Sequence, residues 1–202
     1  MRRIVVATHS VHKLRELRQL LHLPDTQLVD LDDLGIEEEP PEDGPTFEAN
    51  ALLKARRFVT LAGLPTLADD SGLEVVVLDG GPGVRTRRYA GERATDEQNN
   101  AKLLGALAGL PPDARRARYV CVLAFLETPD AEPILARGEF EGRIATGPRG
   151  HGGFGYDPIF EPAGEPPGGR TVGQLSAAQK NAMSHRALAA RAMGERLRGL
   201  GY

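Results

Sequence analysis

Residues 67–72 read Leu-Ala-Asp-Asp-Ser-Gly. An apolar run over residues 64–68 ends in two adjacent carboxylates, Asp69 and Asp70, followed at once by a hydroxyl and a glycine. Successive strand residues point to opposite faces. A short strand ending here therefore turns one carboxylate toward a site and leaves the other for the scaffold. Oxygen ligands at a strand end suit Mg²⁺, with substrate phosphates completing its shell. Asp-Asp-Ser-Gly also suits a plain turn, and at this point both readings stand.

Lysine is scarce. Of the 25 basic residues only Lys13, Lys54, Lys102 and Lys180 are lysine. The chain uses arginine wherever a generic positive charge suffices, so a retained lysine marks a place that needs a compact ammonium rather than a planar fork. Lys13, Lys54 and Lys180 fall in stretches that carry other signals. Lys102 falls on an ordinary amphipathic segment, and Lys102→Arg is expected to be silent. Residues 147–160 hold five glycines in fourteen positions, with Phe154, Tyr156, Asp157 and Phe160 among them. Glycine lets backbone approach a ligand, the three rings suit stacking on a base, and Asp157 adds an acceptor. A glycine-rich turn with packed aromatics has the same composition.

The elements that must position these groups follow from apolar spacing and caps. Residues 3–7 form a short β-branched strand, Thr8-His9-Ser10 a turn, and residues 11–21 a helix with Ser10 as N-cap. A strand feeding a helix N-terminus is an anion site. Lys13 lies in the first helical turn, against the dipole preference, and reaching back to a bound phosphate accounts for it. Residues 27–31 read as a second strand, and 35–45 as an acidic, proline-rich, solvated loop. Thr46 caps a helix to about Ala62 that carries Lys54 four residues after Asn50, on one face. Residues 80–88 form a basic loop whose arginines either meet phosphate or only solvate it. Thr95 and Gln98 make a capping box for a helix to about Leu107. Residues 117–127 and 133–140 are strands, with 141–144 continuing the second after a bend. Ser176 and Gln179 make another capping box, with helix to about Arg198. Lys180 and His185 on one straight helix would stand roughly 140° apart. The expected solution is a short helical turn near 177–180, a break near 182–184 capped by Ser184, and a long helix from His185.

The 202 residues suffice for one substantial core, read as a single two-lobed domain over 1–202 without a linker. A net charge of −3 argues against binding a nucleic-acid polymer. No apolar stretch has membrane-spanning length and the N-terminus lacks a signal-peptide apolar region, so no membrane association and a cytoplasmic location are expected. The single cysteine, Cys121, lies in an apolar run and reads as a small core residue.

Four of these stretches, in order, resemble the inosine triphosphate pyrophosphatase (Ham1) family of non-canonical purine nucleoside triphosphate pyrophosphatases. They are Thr46-Phe47 through Asn50-Ala51 to Lys54-Ala55; Ala68-Asp69-Asp70-Ser71-Gly72-Leu73; Gly152-Gly153-Phe154-Gly155-Tyr156-Asp157-Pro158; and Lys180-Asn181-Ala182-Met183-Ser184-His185-Arg186. The resemblance spans residues 4–197. It implies an α/β fold, two-lobed around a long mixed sheet flanked by helices. It implies a homodimer that hydrolyses dITP, ITP and XTP to the monophosphate and pyrophosphate with Mg²⁺. By position it makes Asp70 the catalytic acidic residue, a carboxylate that orients or deprotonates the water, and a metal ligand, with Lys54 a phosphate contact. Thr8, His9, Ser10, Val11, His12, Lys13 and Ser71 then meet the phosphates. Phe154, Gly155, Tyr156 and Asp157 hold the nucleoside, and Lys180, His185 and Arg186 complete the base site, with donors from His185 or Arg186 aimed at a 6-oxo group.

Three positions depart from the family's pattern. Thr8-His9-Ser10 stands for Thr-Gly-Asn, and Ala49 for a glutamate. A second acidic metal ligand falls on Pro41, which has no oxygen to offer, leaving Glu42, Glu39 or water to substitute. Two other functions compete: a Maf-type pyrophosphatase acting on other nucleotides, and a nucleotide-binding regulator that does not hydrolyse.

Overall fold

The computed structural model describes residues 1–39 and 42–202, so the expectation at Pro41 lies outside the described residues. Six strands form one mixed sheet in the order β2-β1-β3-β4-β5-β6: β1 (Arg2–Val6), β2 (Thr26–Asp30), β3 (Thr66–Val75), β4 (Arg116–Leu126), β5 (Ile134–Ile144) and β6 (Phe160–Pro162). Strand β1 pairs in parallel with β2 and β3, and β5 pairs antiparallel with β6. The helices are α1 (Val11–Leu20), α2 (Phe47–Ala62), α3 (Asp96–Ala106), α4 (Ala177–Met183) and α5 (His185–Gly199). Among the described residues no helix is long and apolar enough to cross a membrane.

The chain divides into two compact units. The first comprises Met1–Ser71, Cys121–Gly138 and His185–Tyr202, the second Gly72–Val120 and Glu139–Ser184. In the first, Ile4, Val6, Leu14, Leu17, Leu67, Cys121, Leu123, Phe125, Ala190 and Met193 share a core. In the second, Leu73, Val75, Leu103, Leu107, Tyr119, Ile144, Tyr156 and Phe160 do so. The caps act as their residue types dictate. The Ser10, Thr46, Thr95 and Ser176 hydroxyls each accept from the backbone amide three residues on. In α2 the buried residues Phe47, Asn50, Ala51, Lys54, Ala55 and Phe58 recur at helical spacing, so one inward face carries both Asn50 and Lys54.

Three expectations change or sharpen. The Asp69-Asp70 stretch is neither a turn nor a strand end: β3 continues through it to Val75, with nearly every position buried. Residues 141–144 continue β5, which runs from Ile134 to Ile144 as one strand. The C-terminal helical region breaks at Ser184, whose φ −67° and ψ 158° are extended, and α5 begins at His185.

Candidate active site

Asp69 is 1% exposed, and charge surrounds it. Its Oδ1 lies 2.5 Å from the Lys13 ammonium and accepts from the Ser71 hydroxyl at 3.0 Å. Its Oδ2 accepts from Arg186 Nε at 2.9 Å and from the Cys121 thiol at 3.1 Å. Burial works against the charged carboxylate, but Arg186 and Lys13 outweigh it and hold Asp69 well below the usual carboxylate range. Arg186, 1% exposed, spends its remaining nitrogens on Glu16 and on Ser71 Oγ at 2.8 Å. Its guanidinium anchors Asp69. His185 is buried at the head of α5.

Asp70, the next residue, faces a different set. Its Oδ1 accepts from Lys54 Nζ at 2.7 Å and its Oδ2 from the Asn50 side-chain amide at 3.2 Å. The partners of the two carboxylates divide as the alternation of a strand requires. Here burial prevails over the pull of Lys54 and Lys13, and Asp70 is raised from its ordinary value. Lys54 also donates to Glu42 at 2.8 Å and to the Asp69 carbonyl at 3.2 Å. Burial alone would lower the Lys54 ammonium; Asp70 and Glu42 outweigh it and raise it. Asn50, fully buried, ties the acidic loop down by accepting from the Gly44 amide at 2.6 Å.

Within residues 8–13, Thr8 Oγ1 accepts from the Ser10 amide at 3.1 Å, and Ser10 Oγ caps α1. Val11 is 71% exposed and His12 is also on the surface. His9 bridges to the acidic loop side of the same unit: Nδ1 lies 2.9 Å from Asp32 Oδ1 and Nε2 3.1 Å from the Glu38 carbonyl oxygen.

In the second unit Asp157 is 2% exposed, and its two oxygens are fully employed. Oδ1 accepts from the Tyr119 hydroxyl at 3.2 Å; Oδ2 accepts from Lys180 Nζ at 2.7 Å and from the Phe154 amide at 3.0 Å. The Lys180 ammonium lies 4.5 Å from the centroid of the Phe154 ring. Two of the three rings expected to face a base are instead core. Tyr156 is 3% exposed and donates to the Thr86 carbonyl at 2.8 Å. Phe160 is fully buried against Tyr119 and Phe140. Phe154 alone keeps a partly exposed face. The glycines serve the loop itself: a Cβ on Gly153 would come within 2.0 Å of Asp157 Oδ2, so close packing against that carboxylate demands glycine there.

Sequence reasoning missed Asn50, Cys121, Glu16 and Tyr119 as members of these clusters. The i, i+4 spacing of Asn50 and Lys54 was the one available signal. Nothing local marks the other three, because their partners are distant in sequence.

Asp70 and Glu42 both reach the Lys54 ammonium, so two carboxylates converge on one cation position. Among the described residues no cluster of three or more metal-ligating side chains forms. Two carboxylates hold a hard cation such as Mg²⁺ only where waters and substrate phosphates supply its other ligands.

A family model described as the Ham1 family matches residues 4–196. A dITP/XTP pyrophosphatase from Xanthomonas oryzae pv. oryzae is 47% identical over 161 residues, covering 79% of this chain and 80% of that protein. One from Salmonella typhimurium is 46% identical over 176 residues, 87% of each. Among solved structures, a HAM1 protein from Coxiella burnetii superposes with a TM-score of 0.89 at 39% identity, covering 98% of this chain and 100% of that one. The Staphylococcus aureus Ham1 protein gives 0.86 at 38%, covering 98% and 99%.

Proposed function

The chain belongs to the Ham1 family, and from that premise we propose that it hydrolyses dITP, ITP and XTP to the nucleoside monophosphate and pyrophosphate. The observation that carries this reading is the split between two neighbouring carboxylates. Asp69 is bound by Lys13 and Arg186, which hold it ionised, while Asp70 shares Lys54 with Glu42 and is raised by burial.

A raised carboxylate is a better proton acceptor. Asp70 orients the attacking water and takes its proton as oxygen bonds to the α-phosphorus and pyrophosphate leaves. Lys13 and Lys54 offset the charge on the phosphate oxygens. Asp69 holds Lys13 in place and Asn50 holds Asp70. Asp70 and Glu42 are the residues that would hold Mg²⁺, which when bound would supply Lewis-acid polarisation of the phosphate oxygens. For the nucleoside, the Phe154 ring offers a stacking face, and the Lys180 ammonium beside it supplies the donor for a 6-oxo group. A 6-amino purine leaves that donor without its acceptor, a mismatch of roughly 1–3 kcal/mol. A homodimer in the cytoplasm is part of the same proposal, supported by the family resemblance and checked by solution mass.

The test is pyrophosphate release from dITP in the presence of Mg²⁺, side by side with dATP, dTTP and UTP. Preferential turnover of dITP is expected. Preference for dTTP or UTP would establish the Maf-type reading, and nucleotide binding without pyrophosphate release the regulator.

A further inference from the structure

Helix α3 carries two polar side chains, one turn apart, that close on a single residue of the aromatic loop. The Asp96 carboxylate accepts from the Gly155 amide at 2.6 Å, and the Asn100 side-chain amide donates to the Gly155 carbonyl at 3.1 Å. Four positions apart on a helix, they stand on one face. The residue they grip has φ +63°. Glycine enters that region freely, but it enters several others as freely. Two hydrogen bonds on opposite sides of one residue select one conformation from that set. They thereby orient Phe154 before it and Tyr156 after it.

The face of α3 is unusually polar for a packed helix. Asn99 is 2% exposed and Asn100 8%. Asn99 accepts from the Ala90 amide at 2.7 Å and donates to the Arg87 carbonyl at 2.9 Å. Asn100 Oδ1 is buried and accepts no hydrogen bond among the described residues. Burying an amide with half its capacity unused is unfavourable, and an apolar residue would fill the space without that penalty. The retained amide therefore points to the Gly155 bond as its purpose.

We propose that Asp96 and Asn100 are positioning residues for purine selection: through the Gly155 peptide they set the loop conformation that presents the Phe154 ring and the Lys180 ammonium. This rests on the reading of that loop as the nucleoside site. The phosphate chemistry of Asp70 and Lys54 does not depend on it. Loss of the clamp therefore raises KM for dITP by about tenfold and lowers the preference for dITP over dATP by a similar factor, with kcat held within about threefold.

The experiment compares Asp96→Ala, Asp96→Asn and Asn100→Asp in the full chain. Asparagine at 96 keeps an oxygen to accept from the Gly155 amide, so Asp96→Asn restores most of what Asp96→Ala loses. Asn100→Asp turns a donor into an acceptor facing a carbonyl without changing size, and loses selectivity as Asp96→Ala does. Asp96 is exposed, so its two variants carry the test even where Asn100→Asp does not fold. Inhibition by inorganic tripolyphosphate, which has no base, stays unchanged. An Asp96→Ala enzyme with normal KM and selectivity overturns the inference, as does equal weakening toward dITP and tripolyphosphate. A wild-type chain that releases no pyrophosphate from dITP overturns the proposed function instead. Calorimetric binding of dIMP to the same variants then decides the clamp: a tenfold weakening supports it and unchanged binding overturns it.

Discussion

The Asp69-Asp70 region and the 154–157 loop each bury a lysine ammonium against a carboxylate, yet they leave the carboxylate in opposite conditions. In the first region Lys54 is shared by Asp70 and Glu42, and Asp70 remains raised despite it. In the second, Asp157 gives one oxygen to Tyr119 and the other to Lys180 and Phe154. Asp70 carries one hydrogen bond on each oxygen and holds its other lone pairs in reserve for the proton and cation of the proposed function. Asp157 spends more of its capacity, on a hydroxyl, an amide and an ammonium held beside a ring. The backbone differs in the same sense. Asp69 and Asp70 sit within a buried ten-residue strand, whereas the aromatic loop owes its shape to side chains that grip its peptides.

Removing the reserve should have the largest effect. Asp70→Asn is expected to lower kcat by about a thousandfold or more, since it deletes the acceptor and a metal ligand together. Its circular dichroism and melting temperature should be preserved, because burial already disfavours the charge at that position. Near-normal turnover with Mg²⁺ would erase the distinction between the two regions.

Asp69→Asn should show the converse. It strips a fully paired carboxylate from Arg186 and Lys13, and removing one partner of a buried ion pair costs roughly 3–5 kcal/mol. Thermal or urea unfolding measures this. A melting temperature equal to that of Asp70→Asn would refute the assignment of Asp69 to the scaffold.

The lysines sharpen the comparison at an intermediate scale. Lys13→Arg and Lys54→Arg should each lower activity at least tenfold through kcat, since a planar fork does not fit a point occupied by a compact ammonium. Lys180→Arg should lose a similar factor, but through KM and selectivity for the 6-oxo purine. Lys102 donates to the Tyr89 carbonyl at 2.6 Å, a bond arginine can also make, so Lys102→Arg should remain silent. Steady-state kinetics on dITP and dATP separate these cases.

The smallest effect concerns His9. Both its partners, the Asp32 carboxylate and the Glu38 carbonyl, only accept, so only the imidazolium makes both bonds at once. Burial opposes the charge, but the Glu38 carbonyl and Asp32 outweigh it and raise His9 above its ordinary 6.5. A raised histidine stabilises fully below its ordinary value and loses that contribution as pH rises through the folded value. With Asp32 largely exposed, the loss is expected to stay below about 1 kcal/mol. Unfolding free energy followed across that window should fall in the wild type and stay flat in His9→Gln.

Much of this molecule was written locally. Ser10, Thr46, Thr95 and Ser176 announce helix starts because a hydroxyl three residues before an amide satisfies it wherever it occurs. Asn50 and Lys54 share a face because a helix has one period. The break at Ser184 is expected from the spacing of Lys180 and His185 and from a serine able to cap a new helix, and Ser184 is extended as that requires. Asp70 and Lys54 stand out from residue types and order, and the fold brings their side chains into contact. The tertiary structure decided what each charge is for. Sequence spacing could not reveal that Arg186 binds Asp69, 117 residues away, or that Cys121 donates to the same carboxylate. It could not show that Tyr156 and Phe160 are core while Phe154 stays partly exposed, because composition does not distinguish a ring that packs from one that stacks. Nor could it show that β3 runs through two aspartates. Local propensity favours a turn there, and only cations from α1, α2 and α5, brought by the fold to both faces of the strand, make two adjacent carboxylates stable inside it.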